Sequence, residues 1–187
     1  MTLREHIVLG GGAALVLAPI LGPADSAGFF GASVLIDVDH YWDYLYRNGF
    51  RDWSFRRTFE FHARLFPRIG EPDFLALNLF HTAEWFLLVG LAAWWLGSSA
   101  LVAVLGGMVF HLALDLARLA RYRATFRRAL SVLEYGVRRR HLVRRGLDPE
   151  RPYRQILAEL GVPPLFGAIP QPRPRPERQS ASPPFSS

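Results

Sequence analysis

Apolar residues in this chain gather into four runs, over residues 7–21, 27–46, 74–96 and 99–119. The spacer within each pair of runs is short and carries turn chemistry: Gly22-Pro23-Ala24-Asp25-Ser26 and Gly97-Ser98-Ser99. The third run reaches the ~20 residues that a helix needs to cross a bilayer. The first is shorter and rich in glycine. The pattern predicts an all-α protein whose residues 1–119 form an integral membrane four-helix bundle.

The runs are joined across the middle by a long polar connection, 47–73. Within it, Phe55 to Phe66 reads as an amphipathic helix, with Phe55, Phe59, His62 and Phe66 on one face and Arg56, Arg57, Glu60 and Arg64 elsewhere. Such a helix is expected to lie in the headgroup layer. Residues 120–162 form an arginine-rich extension, predicted to continue the fourth helix to about Arg145 and to add a short helix between Pro152 and Leu160. Residues 163–187 are dominated by proline, serine and arginine without apolar periodicity, which predicts a disordered tail.

Charge orients the bundle. The formal net charge of +6 comes from arginine alone, because lysine is absent. Both short turns lack arginine, whereas Arg4, the 47–73 connection and everything from Arg118 onward carry it. The positive-inside rule then places both termini and the long connection in the cytoplasm, with the protein in the inner (cytoplasmic) membrane. Arginines flanking apolar runs point to membrane lipid and its anionic headgroups as partner rather than to nucleic acid. The first run after Arg4 also resembles a cleavable leader, but Asp25 and the glycine-rich run argue against cleavage.

Against this apolar background stand four polar islands: His6; Asp37, Asp39, His40 and Asp43; His81 with Glu84; and His111 with Asp115. A charge at the bilayer centre costs roughly 2.5–3.5 kcal/mol on the insertion scale, so these residues require compensation. His111 and Asp115 share a helix face at i, i+4, as two ligands of one ion must. His81 and Glu84, with Asn78 a turn earlier, share another. Three carboxylates and a histidine between 37 and 43 repel one another without a cation. Each island taken alone also reads as a structural hydrogen-bonded pair or an interfacial helix end. His62 and His141, set among arginines, read as surface residues.

Depth unites the islands. With both termini inside, all four fall in the same cytoplasmic slice; His81, for instance, lies seven residues into its run, or ~10 Å. A shared metal ion is the simplest compensation. Without cysteine its ligands must be imidazole and carboxylate, and such donors favour Zn²⁺, with Mn²⁺ or Fe²⁺ as alternatives. The candidate ligands are His6, Asp37, His40, His81, His111 and Asp115. Asp39 is a further ligand or a partner orienting an imidazole. A metal acidifies water for attack, and Glu84 or Asp39 is the candidate base. The rival readings are a transporter or proton relay using the same groups, and a membrane anchor whose islands are structural.

The same residues resemble the YdjM-like membrane-bound metal-dependent hydrolases. The likeness rests on His6, Leu35-Ile36-Asp37-Val38-Asp39-His40, His81 and Gly107-Met108-Val109-Phe110-His111-Leu112-Ala113-Leu114-Asp115. It covers residues 1 to about 117. The chain departs from the family pattern at Ile36, where proline is usual. It departs again at Phe80-His81-Thr82-Ala83-Glu84, which stands in place of His-Arg-Gly-x-Thr-His-Ser. The resemblance implies a hydrolase, here a divergent one. The His-x-x-x-Asp spacing is also similar to that of zinc-dependent phospholipase C and P1-type nucleases, which suggests phosphoester hydrolysis on a lipid or other amphiphile.

Overall fold

Small residues at every fourth position decide how the helices meet. In the computed structural model, which describes residues 3–165, Ala103, Gly107, His111, Asp115 and Leu119 form the buried stripe of α6 (Ser99–Arg121). His6, Gly10 and Ala14 form that of α1 (Leu3–Leu21). Both stripes close on α2 (Pro23–Leu35), which presents Ser26, Phe29 and Ser33. The approach is tight enough to require glycine. A Cβ on Gly107 would stand 2.1 Å from the Phe29 carbonyl oxygen, and one on Gly10 would stand 2.3 Å from Ser33 Oγ. Small residues allow such close backbone packing between apolar helices.

Helix α5 (Ala83–Leu96) packs beside α6. The outer surface of this layer is apolar: Leu15, Val16, Ile20, Trp94 and Trp95 are all more than three-quarters exposed. Helices α1 and α6 are long and apolar enough to cross a membrane, and only 17 % and 28 % of their most apolar windows are buried. The all-helical expectation therefore agrees with the structure, while the expected four spans reduce to two helices of that length among the described residues.

Two apolar runs are broken. The second ends as a helix at Leu35, and α3 (Val38–Arg47) starts after a tight joint. There Asp39 N bonds Ile36 O at 3.4 Å and His40 N bonds Asp37 O at 3.0 Å, an i to i+3 pattern. In the third, α5 begins only at Ala83, because Thr82 Oγ1 caps it by accepting from Trp85 N. The residues before it form a two-residue strand, β1 (Ala76–Leu77), and a 3₁₀ turn, Leu79–His81.

The arginine-rich extension does not continue α6. That helix stops at Arg121, with Arg123 at φ +53°. The chain then enters β2 (Arg128–Ala129), which pairs in parallel with β1. Helix α7 (Val132–Arg144) follows, capped by Ser131, and then α8 (Arg151–Glu159). Helix α8 is part of a core shared with α3 and α4 (Phe55–Leu65), built on Tyr44, Leu45, Phe61, Leu65, Tyr153 and Ile156. Arg47 locks it, stacking 3.3 Å over Tyr153 while pairing with Asp43 and Glu150.

The predicted amphipathic helix is present as α4 with its polarity revised. Thr58, Phe61 and Leu65 are its buried face, His62 turns inward, and Phe55, Phe59 and Phe66 are exposed. The tail expected to be disordered lies outside the described residues from 166 onward.

Candidate metal centre

Backbone packing first fixes the ring orientations. The Gly107 contact lays α6 along α2, so His111, one turn further on, has its Nδ1 2.8 Å from the carbonyl oxygen of Ser33. A carbonyl only accepts, so Nδ1 donates and Nε2 is the nitrogen turned toward the cluster. His81 is set the same way by Asp39, whose Oδ2 lies 2.9 Å from Nδ1 and also accepts from Phe80 N at 3.1 Å. On His40, Nδ1 is held 2.8 Å from the side-chain amide of Asn78, which leaves Nε2 for the cluster.

The three Nε2 atoms converge on one carboxylate oxygen. Asp37 Oδ1 lies 3.2 Å from His111 Nε2, 3.3 Å from His40 Nε2 and 3.7 Å from His81 Nε2. Asp115 closes the other side, with Oδ2 3.7 Å from His111 Nε2 and 3.9 Å from His81 Nε2. His6 stacks on His111 with centroids 3.8 Å apart. Its Nε2 reaches 3.4 Å from Asp115 Oδ1 and 3.7 Å from Asp37 Oδ2. The histidines His6, His81 and His111 are fully buried, as are Asp39 and Asp115 to within 5 %. Asp37 and His40 form the open side, with side chains 21 % and 30 % exposed.

Hydrogen bonding within the protein leaves this arrangement incomplete. Six buried polar atoms in the cluster have no hydrogen-bond partner: both nitrogens of His6, His81 Nε2, His111 Nε2, Asp37 Oδ1 and Asp39 Oδ1. One unsatisfied buried group costs about 1–3 kcal/mol. Six would consume a stability of ~5–15 kcal/mol. A cation would remove the part of the deficit borne by lone pairs, because it accepts them from imidazole and carboxylate together. Asp37, His81, His111 and Asp115 each offer a donor atom within 4.8 Å of the others, and this group could hold a metal ion.

Of the residues singled out in the sequence, His6, Asp37, Asp39, His40, His81, His111 and Asp115 come together. Glu84 does not. It lies in the first turn of α5 and is exposed. Its carboxylate accepts from Ser131 Oγ at 2.5 Å and from Val132 N at 3.0 Å, so it serves the start of α7 rather than the cluster. The assumed His81–Glu84 helix face fails because His81 precedes the helix. Asp43 likewise turns away to Arg47, at 2.8 Å.

Two contributors were missed. His62, read as a surface residue, packs its ring 4.7 Å from that of His40. Burial, and then the nearby His40, pull its imidazole down to about 4. It is therefore neutral, and its Nε2–H donates to the His40 carbonyl at 2.9 Å. Arg128 is the second: its Nη1 donates to Asp115 Oδ2 at 2.9 Å from a side chain only 11 % exposed. The β1–β2 pairing, Ala76 with Arg128 and Leu77 with Ala129, delivers it there. The capping box Ser131-Val132-Leu133-Glu134 was the available signal, since it marks a helix start and so a break before it.

Neither a protein-family model, nor a curated protein, nor a solved structure matches this chain.

Proposed function

We propose that this chain is a membrane-bound, metal-dependent hydrolase acting at the cytoplasmic face on a phosphoester of a lipid or other amphiphile. One observation carries the reading: His81 and His111, each with Nδ1 already engaged, turn Nε2 toward the carboxylates of Asp37 and Asp115 inside the protein, and neither Nε2 has a hydrogen-bond partner. Lone pairs facing anions repel unless a cation lies between them.

In this reading α1 and α6 span the bilayer, and the cluster sits at their arginine-bearing ends. His6 opens α1, and Asp115 precedes Arg118 and Arg121 near the end of α6. The exposed aromatic residues Trp42, Tyr46, Trp53, Phe55 and Phe59, on α3, α4 and the chain between them, would seat in the interface. The sequence resemblance to the YdjM-like hydrolases points the same way.

Asp37, His81, His111 and Asp115 would hold the cation, with Zn²⁺ favoured by two nitrogen and two oxygen donors. When bound, such an ion supplies Lewis acidity and a water acidic enough to attack near neutral pH. The chain's own residues do the rest. Asp39 and the Ser33 carbonyl hold His81 and His111 in the tautomer that leaves Nε2 free. His6 covers the inner side against water. Arg128 offsets the charge of Asp115 and supplies the cationic edge that an anionic phosphoester oxygen would meet.

Purification of the full chain in detergent, followed by metal quantification, tests this. Stoichiometric metal that is lost in both His111→Ala and Asp37→Ala, with chelator-sensitive hydrolysis of a phosphodiester, is the expected result. A folded wild-type protein without metal would sink the reading. It would favour the alternative suggested by the 3.2 Å between His111 Nε2 and Asp37 Oδ1, in which a proton bridges them and the cluster is a proton relay.

A further inference from the structure

We infer that the cluster holds two divalent cations bridged by Asp37, the second lying on the open side between Asp37, Asp39 and His40. This rests on the metal-dependent reading above and deepens it. Asp37, Asp39 and His40 form a second constellation whose donor atoms also lie within 4.8 Å of one another, and Asp37 belongs to both groups.

The number of donors calls for a second ion. His6, His40, His81, His111, Asp37, Asp39 and Asp115 all contribute to the cluster. A structural zinc site almost always uses four donors, and a catalytic one uses three protein ligands. One inner ion accounts for His81, His111, Asp115 and one oxygen of Asp37, with His6 beside it. It leaves Asp39 Oδ1 and His40 Nε2 unexplained.

Asp39 is the independent observation. The residue is 3 % exposed, and its Oδ2 is engaged by His81 Nδ1 and Phe80 N. Its Oδ1 is buried and has no partner. A carboxylate that only oriented His81 would not need to bury a second, bare oxygen. With His40 Nε2 3.3 Å from Asp37 Oδ1, and the ring held by Asn78 and packed against that of His62, the donors for an outer ion are in place.

Exposure and charge divide the work. The inner group is closed, whereas His40 and Asp37 face outward, so open coordination positions belong to the outer ion. Three carboxylates against Arg128 leave two negative charges. One dication neutralises them, and a second makes the site cationic. That favours a phosphoester oxygen spanning both ions, as in other two-metal sites with ions about 3.5–4 Å apart. The outer ion should therefore bind more weakly than the inner one, and more tightly when inorganic phosphate is present.

The experiment is a Mn²⁺ titration of the full chain in detergent, read by bound metal per chain and by electron paramagnetic resonance. The expected result is two ions per wild-type chain, the second strengthened by phosphate, with the spectrum of an exchange-coupled pair. His40→Ala should retain one ion with the spectrum of isolated Mn²⁺. Asn78→Ala should weaken the second ion at least tenfold while leaving the first. One ion per wild-type chain overturns the inference and leaves the hydrolase reading intact. No ion overturns both. Two ions retained in His40→Ala would overturn the assignment of the outer site.

Discussion

His111 Nδ1 donates to the carbonyl oxygen of Ser33 at 2.8 Å, a bond between two helices that exists because Gly107 lets α6 lie against α2. It settles which nitrogen of the ring enters the cluster. Without it, Nδ1 and Nε2 would be interchangeable, and the ring would be free to rotate. The donor geometry is thus a consequence of helix packing one turn away.

Gly107→Ala tests that dependence. The added Cβ would lie 2.1 Å from a backbone oxygen, which cannot swing aside as a side chain would. The helices must separate, at a cost of about 1–3 kcal/mol for overpacking. The expected outcome is a retained helical circular-dichroism spectrum, a lower melting temperature and at least tenfold weaker metal binding. Metal affinity equal to wild type would break the link between packing and tautomer.

Glu84→Gln separates a base from a cap. Because the carboxylate receives Ser131 Oγ and Val132 N at the start of α7, the loss should be a small one of stability, read as a lower melting temperature. Metal content should be unchanged and phosphodiester turnover within twofold of wild type. A hundredfold drop in turnover without loss of metal would return Glu84 to the catalytic role that its place in the sequence suggested.

The contrast between Glu84 and Asp39 shows what was legible in the sequence. His6, Asp37, His40, His81, His111 and Asp115 were identifiable because apolar runs tolerate polar residues at a common depth only where those residues compensate one another. Their partners were not identifiable, since these depend on where helices start and stop. A continuous helix through residues 37–39 would put Asp37 and Asp39 on different faces, and the i to i+3 joint after Leu35 brings both inward. Conversely, His81 and Glu84 share a face only if one helix contains both, and Thr82 ends that possibility. Arg128 was hidden for a different reason. Among so many arginines its charge carries no information, and only the strand pairing with Ala76 singles it out.

Acid should loosen the α3–α4 corner through Asp52. Burial pushes this carboxyl up, but hydrogen bonds from Tyr44 Oη at 2.7 Å, the Ser54 backbone N–H at 2.9 Å and Arg57 at 2.8 Å outweigh it and hold it below the usual range. A folded-state value below the unfolded one means that the unfolded chain binds more protons as the pH falls. The stabilisation is therefore complete above the ordinary carboxylate value near 3.8 and is lost as the pH drops below it. Wild type should melt above Asp52→Asn at pH 6, and the gap should close progressively as the pH falls below the ordinary carboxylate value near 3.8. A gap that stays constant across that window would show that Asp52 acts by shape rather than by charge.

Arg128 gives the sharpest division between holding the metal and holding the substrate. Its Nη1 pairs with Asp115 Oδ2, so removing the guanidinium leaves a buried carboxylate facing the cluster with less compensation. A cation already in the cluster supplies that compensation, so Arg128→Ala should keep its metal and even bind it somewhat more tightly. The loss falls on the anionic substrate, which is deprived of the guanidinium beside the cluster. Arg128→Ala should raise KM for a phosphodiester at least tenfold, with kcat changed less, because a positioned cation acts mainly in binding the anion. Arg128→Lys should recover only part of the loss, since an ammonium lacks the planar fork that serves Asp115 and a phosphoryl oxygen together. Unchanged KM in both variants, or loss of metal in Arg128→Ala, would make the pair with Asp115 purely structural.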